Sequence, residues 1–520
     1  MENPPPAHWD VIVVGGALSG SATACLVLRR NPKLRVLILE RSEQLKRRVG
    51  ESTVEISAYF LGRVLGLTEH LLEKHIPKQG MRFWFANDQT RAFDQCSETG
   101  PRYNVRLPGY QVDRAVLDEH VLANAVTDGA VLQRQVRVRK VILVEGGNQT
   151  VEWDAADGTL QTATARWVVD ASGVATLLAR QEGWLEANTA HPTATCWCRW
   201  SGVRSLDDRS FSKTYPSWSN RVKGLRSTAT NHITGYGWWA WFIPLKGGDV
   251  SVGVVYDQRI TELPPGPNLA ERLRTMLIAH PTARALLENA TSHDGDVHFR
   301  RNLAYSTTKF ATDGAVLVGD AAGFIDPFYS PGMDWISFTA SAAAAMIDAS
   351  FRGKPMAPRV ARHNASFAQS YQRWFDALYR DKYYYMGDYE LMTLAFRLDL
   401  GLYYLGIVSQ PFKHGNHMLE TPPFAHANSN WPFRLMSLYN RRLAAMAQSR
   451  QRRGVWGRHN DRRYFGFISY EFNSRLPVRV AGLLGLWLKL ELTEGWRTWF
   501  SAAPAPVAVE QDLEPKPVSA

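Results

Sequence analysis

Cysteine is scarce, with four residues in 520. That excludes a disulfide framework and points to a reduced, cytoplasmic setting. Cys196 and Cys198 flank Trp197 and face one side of a strand, but no partner ligands accompany them. Core packing is therefore expected there, and no metal site. Long apolar runs are also lacking. None reaches the roughly 20 residues of a membrane helix, so no transmembrane segment is expected; residues 482–490 are apolar but short. Residues 1–9 precede the first strand, and no signal peptide is expected among them. Acidic charge is in deficit: 49 Asp and Glu against 60 Lys and Arg give a net charge of +11. This favours acidic partners, a membrane surface or anionic substrates. Nucleic acid is not expected, because none of its usual binding motifs occurs.

What the chain does have is one strand–turn–helix–strand unit near its start. Residues 11–14 are an unbroken apolar run, read as a buried parallel strand. Gly15 and Gly20 bracket a tight turn, and Ala17 stands where a middle glycine is usual. An Ala- and Leu-rich helix follows over 22–28. The next apolar strand, 36–39, ends on Glu40, about 20 residues past the last glycine. The turn lets backbone N–H groups approach a pyrophosphate, and the helix N-terminus stabilises its charge. Glu40 can accept hydrogen bonds from both hydroxyls of an adenosine ribose. Three cations, Lys46, Arg47 and Arg48, lie just before Gly50 and suggest a loop crossing the phosphates. Arg114 stands near the start of a further helix. Residues 314–327 return to the same fold, with Gly319-Asp320 at the C-terminal end of a strand. Asp320 could bond a ribityl chain, and a helix starting at Gly332 could stabilise a negative flavin ring. The expected cofactor is FAD.

The expected fold class is α/β: an FAD-binding, Rossmann-like parallel sheet, an inserted antiparallel substrate-domain sheet and a C-terminal helical region. The expected divisions are 1–189 and 306–350 for the FAD-binding part, 190–305 for the substrate-binding sheet, 351–500 for the helices and 501–520 for a disordered tail. Strand-like stretches at 193–200, 230–235, 238–243 and 250–256 are rich in Trp, Tyr and Val. The aromatics of the helical region, among them Trp374, Tyr379 and Tyr403, fall at helical spacing and are expected in the core. Residues 441–463 carry eight arginines, which suits a solvated helix face or a dock for an acidic partner such as a carrier protein.

The Gly15–Gly20 turn with Glu40, the Arg114 helix and Gly319-Asp320 together resemble the FAD-binding set of the aromatic hydroxylase-like flavoproteins. A second glycine turn for NAD(P)H is missing. Either NAD(P)H binds transiently or a separate reductase supplies reduced flavin. Within that superfamily the chain resembles the flavin-dependent halogenases over most of its first 345 residues. Trp239-Ala-Trp-Phe-Ile-Pro244 matches the WxWxIP motif, and Lys78-Gln-Gly-Met-Arg-Phe83 matches the segment that holds the family's lysine, with Phe85 and Ala86 departing from the usual Trp and Gly.

The resemblance implies that reduced FAD and O₂ oxidise halide to hypohalous acid, which Lys78 orients, or captures as a haloamine, beside an electron-rich aromatic ring. Trp239, Trp241 and Tyr329 would border the substrate. Lys78 would need a desolvated position and a lowered pKa. The stretch matching the family's halide turn is Phe328-Tyr-Ser-Pro-Gly-Met333, and Pro331 has no N–H. Losing that donor costs a chloride site roughly 1.5–3 kcal/mol, unless Ser330, Gly332 or Met333 donates instead. Tyr329 replaces a carboxylate of the tryptophan-specific members, so a phenol, a pyrrole or a carrier-tethered acyl group suits the site better than free tryptophan. A monooxygenase or dehydrogenase/reductase that uses no halide, and a non-catalytic flavoprotein, are the competing readings.

Overall fold

A computed structural model describes residues 7–107, 109–426, 429–468 and 475–500. The expected disordered tail, 501–520, lies outside the described residues.

The first sheet is centred on the strand Ala7–Val14, whose Val11–Val14 run is fully buried. It pairs in parallel with Val36–Glu40 on one side and Leu160–Asp170 on the other. Val131–Arg134 and Ala315–Leu317 extend the sheet in parallel at its two flanks. The register sets Val14 beside both Leu39 and Asp170, and Asp170 beside Leu317. Gly15, Glu40 and Gly319 therefore emerge at one edge, where open parallel sheets bind ligands. Two glycines of the turn are sterically required. Gly15 has φ +101°, and a Cβ there would stand 2.5 Å from the Ala171 carbonyl oxygen. A Cβ on Gly20 would stand 1.9 Å from the Gly15 oxygen. Ala17 is the N-cap of the helix Leu18–Arg30 in extended backbone, which any residue can adopt.

The second sheet holds the four expected strands, observed as Thr193–Ser201, Thr230–Gly235, Trp238–Pro244 and Val250–Asp257. It is not built from 190–305 alone. Met81–Phe85 pairs in parallel with Thr230–Gly235, and Ser97–Pro101 and Tyr464–Phe467 continue the sheet beyond it. These strands hid for two reasons. Met81–Phe85 is buried on both faces and shows no alternation. Ser97–Pro101 reads as a turn, yet it is buried because Glu98 is paired with Arg82 and Arg226. Cys196 and Cys198 are buried in this sheet's core.

The remaining chain is mostly helical, and two expectations change here. The continuous helical run Tyr389–His414 is long and apolar enough to cross a membrane by length and composition. Its most apolar window is 67% buried inside the protein, and its Asp399 is ion-paired with Lys382 at 2.7 Å. It packs as a core helix. The basic stretch is not simply a solvated face. Arg450 is fully buried and binds Asp388, Glu390 and Glu494, while Arg442 binds Glu491. Arg453 and Arg458 also reach Glu494. Arg441, Arg452, Arg462 and Arg463 stay exposed.

Candidate active site

At the shared strand edge, the Glu40 carboxylate accepts the N–H of Gly16 at 2.7 Å and that of Ser42 at 2.8 Å. Each oxygen keeps a lone pair for a ribose hydroxyl. Arg114 grips Asp118 with two bonds of 2.8 and 3.0 Å and reaches the Val49 and Gly50 carbonyls at 3.4 Å. Arg48 lies 3.7 Å from the same Asp118. Burial raises the Asp320 carboxyl, and the charges of Arg114, Arg300 and Arg48 pull it back down. Among the described residues none donates a hydrogen bond to this carboxylate. A ligand rich in hydroxyls fits it. The structure thus gathers Gly15, Gly20, Glu40, Arg48, Arg114 and Asp320 about one site, and FAD fits it. Arg300, at the end of the strand His298–Arg300, is an addition that its isolation in the sequence concealed.

Lys78 closes the short strand Ile76–Lys78, which pairs with Gly109–Gln111. Its side chain is 2% exposed, and Nζ donates to Ser52 Oγ and to the Thr53 carbonyl, both at 2.8 Å. Ser52 Oγ in turn shares a 2.9 Å bond with Thr230 Oγ1. Burial pushes the ammonium down to about 8, against the opposing charges of Glu55 and Asp334. Burial, helped by the charge of Lys78, pushes His232 to about 3, so that imidazole is neutral. Ser52 and Thr53, just past the basic Lys46–Arg48 segment, carry no signal in the sequence that they hold the lysine.

Beside Lys78 lies a cavity lined by Val54, Glu55, Met81, Tyr329, Pro331 and Asp334 on one side. Trp374, Tyr379, Phe396, Asp399 and Tyr403 face them from the C-terminal helices. Trp374, Tyr379 and Tyr403, expected in the core, also border this cavity. Lys78 does not line the cavity; the two carboxylates that act on its charge do. Asp334 accepts the Ser57 N–H and the Tyr403 hydroxyl, both at 2.9 Å. Burial raises it to about 7. Glu55 accepts Tyr404 Oη–H at 2.6 Å and is likewise raised by burial. Neither acid stood out in the sequence, because they lie far apart in the chain and only the fold brings them together.

The two motif tryptophans do not line this cavity. Trp239 packs its ring 5.1 Å from Phe328 and donates to Tyr383, and Trp241 donates to Ser251 Oγ at 3.2 Å. Tyr329 does line it, donating to Asp399 at 3.1 Å. Tyr329 and Ser330 have φ of 68° and 57°, two successive non-glycine residues in the left-handed region. Such backbone costs about 1–3 kcal/mol per residue and gathers at functional sites. Pro331 is the first residue of the helix Pro331–Phe351, where an N–H would lack a helical partner in any case. The Ser330 N–H is not a spare donor, because it is bonded to the Pro327 carbonyl at 3.0 Å. The open donors expected of this turn reduce to Gly332 and Met333, and Gly332 has free space around it.

With this geometry in place, the chain can be compared with known proteins. The family profile described as tryptophan halogenase matches residues 10–106 and 85–385. The flavin-dependent halogenase chlA of Dictyostelium discoideum is 30% identical over 364 residues, 64% of this chain and 58% of that protein. The flavin-dependent halogenase armH5 of Armillaria mellea is 26% identical over 67% of this chain and 66% of its own length. The chain thus spans less than two thirds of these two relatives. Among solved structures, halogenase PltM superposes with a TM-score of 0.73 at 16% identity, covering 92% of this chain and 96% of its own. The myxobacterial chondrochloren halogenase CndH gives 0.60 at 23% identity, covering 84% and 98%. The α/β fold is shared with both, and the chain belongs to the tryptophan halogenase family.

Proposed function

We propose that the protein halogenates an electron-rich aromatic ring held in the cavity beside Lys78, drawing reduced flavin from a separate reductase. The observation that carries this reading is the lysine itself: buried, held by Ser52 and Thr53, and lowered to about 8 next to two cavity carboxylates. FAD, once reduced and exposed to O₂, supplies the two-electron oxidation of halide to hypohalous acid. Two of the three N–H bonds of the Lys78 ammonium are engaged, which leaves one to donate to the oxygen of that acid. This donation makes the halogen more electrophilic as it passes to the ring. The displaced oxygen takes a proton from the Lys78 ammonium and leaves as water, while the ring proton goes to a carboxylate and returns from there to the lysine amine. Asp334, raised to about 7, suits that base role near neutral pH. The aromatic walls from Trp374, Tyr379 and Phe396 suit a flat substrate, and a phenol fits the acids better than an anionic compound does. All four cysteines are free and buried, which supports a reducing, cytoplasmic setting.

One observation favours a different reaction on the same scaffold. Pro331 offers no N–H, and that of Ser330 is already bonded, so the turn is poor in halide donors. Product mass spectra decide between the two, with FAD, a generic flavin reductase, NADH, O₂ and an activated phenol, with and without bromide. A brominated product that disappears in Lys78→Ala is expected. An oxygenated product indifferent to bromide would instead assign a monooxygenase.

A further inference from the structure

The last described helix, Leu476–Thr493, buries one side through Leu476, Val480, Leu483, Trp487 and Glu491. Its opposite side is also apolar. Val478, Ala481, Gly485, Leu488 and Leu492 recur at steps of three and four, which places them on one outward stripe. Val478 is 72% exposed and Leu492 69%. Beyond the helix, Trp496, Trp499 and Phe500 are exposed as well, the last of them 97% so, while the Trp499 indole donates back to Glu491 at 3.1 Å. A soluble face seldom carries such a contiguous apolar surface without a partner.

Charge identifies what covers it. The two acids of this stretch are turned inward: Glu491 binds Arg442, and Glu494 binds Arg450 and Arg453. Every exposed ionisable side chain described between 475 and 500 is a cation: Arg475, Arg479, Lys489 and Arg497. The neighbouring helix Asn430–Arg452 repeats the pattern, with Trp431, Arg434, Leu438 and Arg441 exposed along one face. Pairing this helix with a second copy of itself would bring cations against cations, with no exposed acid among its described residues to offset them. An anionic lipid surface satisfies both features. It accepts the leucines and the terminal aromatics at the headgroup boundary and the cations at the phosphates.

We propose that the outer face of Leu476–Phe500 docks the protein peripherally on anionic membranes. This is independent of the reaction at Lys78. The test is co-sedimentation of the full chain with phosphatidylcholine vesicles, with and without phosphatidylglycerol. Binding is expected only with phosphatidylglycerol, and it should fall with salt. Lys489→Ala with Arg497→Ala is expected to weaken it roughly tenfold or more, and Leu488→Ser with Leu492→Ser by a similar factor. Both pairs sit on the exposed face and should leave the circular dichroism unchanged. A protein that stays in the supernatant at every phosphatidylglycerol content overturns the proposal. So does a dimer that the leucine substitutions dissociate, which would assign the face to a second copy.

Discussion

Trp239 and Tyr383 share a hydrogen bond of 3.0 Å, indole N–H to phenol oxygen, between residues 144 positions apart. Tyr383 then donates to Asp326 at 2.8 Å, and the same carboxylate accepts the Phe328 N–H at 2.8 Å and contacts His191 at 2.7 Å. The motif strand is thereby tied to the turn that carries Phe328 to Met333. Tyr383→Phe would strand a buried indole N–H and remove one donor from Asp326. A loss of about 1–3 kcal/mol is expected, read as a lower midpoint in urea denaturation. An unchanged midpoint would show that the chain from Trp239 to Asp326 contributes nothing to stability.

The buried Lys78 also makes stability depend on pH. Its ammonium is lowered from the usual 10.5 to about 8 by burial. Between these values the unfolded chain holds the proton that the folded protein has released, so stability rises as pH climbs from about 8 to about 10.5. Lys78→Met removes this dependence. The variant is expected to gain roughly 3 kcal/mol over wild type below pH 8, an advantage that vanishes at higher pH. Equilibrium unfolding at about pH 7.5 and about pH 10 measures it. A wild-type protein with no stability gain in that interval would place the lysine in water.

Much of the nucleotide half of the site could be read from the chain. Gly15, Gly20, Glu40 and Asp320 lie in or beside short apolar strands, so local pattern and position agree. The substrate half was less legible for a physical reason. Its carboxylates, Glu55 and Asp334, come from separate helices and meet only through tertiary packing, with a hydrogen bond from Ser57 to Asp334 joining their elements. Arg450 looked like one member of a basic run because its three acidic partners lie 60, 62 and 44 residues away. Charge runs report composition, whereas burial depends on who faces them.

Asp334 titrates in the opposite sense to an ordinary salt-bridged carboxylate. Burial raises it from 3.8 to about 7, although Tyr403 and Ser57 donate to it. The folded protein therefore holds a proton that the unfolded chain has lost, and stability falls as pH rises from about 4 to about 7. Asp334→Asn keeps an acceptor for Ser57 and is expected to be more stable than wild type by roughly 2 kcal/mol or more above pH 7. If Asp334 takes the ring proton, kcat should drop roughly a hundredfold or more, with little change in KM. Normal turnover in Asp334→Asn would pass that role to Glu55.

Pro331→Ser tests the halide turn directly. The substitution adds one N–H at the first helical position beside Gly332 and Met333, at a place where no carbonyl of the helix competes for it. The KM for bromide is expected to fall roughly tenfold. If the response to bromide is unchanged, the turn does not hold the halide and the oxygenase reading gains.

The Arg450 cluster yields a prediction that separates structure from partner binding. Arg450 is fully buried and donates to Asp388, Glu390 and Glu494, joining three separate helical elements. Burial would raise the Glu494 carboxyl, but hydrogen bonds and charge from Arg450, then Arg453 and Arg458, hold it at about 2. Removing one side of such a buried pair leaves uncompensated charge, and Arg450→Met is expected to cost roughly 3–5 kcal/mol at neutral pH. The sign of the pH effect follows from Glu494. Its folded value lies below its unfolded value of 4.5, so the stabilisation is complete above about pH 5 and is lost as pH falls towards about 2. The gap between wild type and Arg450→Met should therefore narrow on acidification, which urea unfolding at neutral and acid pH measures. A gap that stays constant would mean that the cost comes from packing around the long side chain and not from its charge. Because Arg442, Arg450, Arg453, Arg458 and, at 3.8 Å from Asp461, Arg462 are already bound to acids of this chain, the exposed Arg441, Arg452 and Arg463 are the ones of this stretch left to meet an acidic carrier.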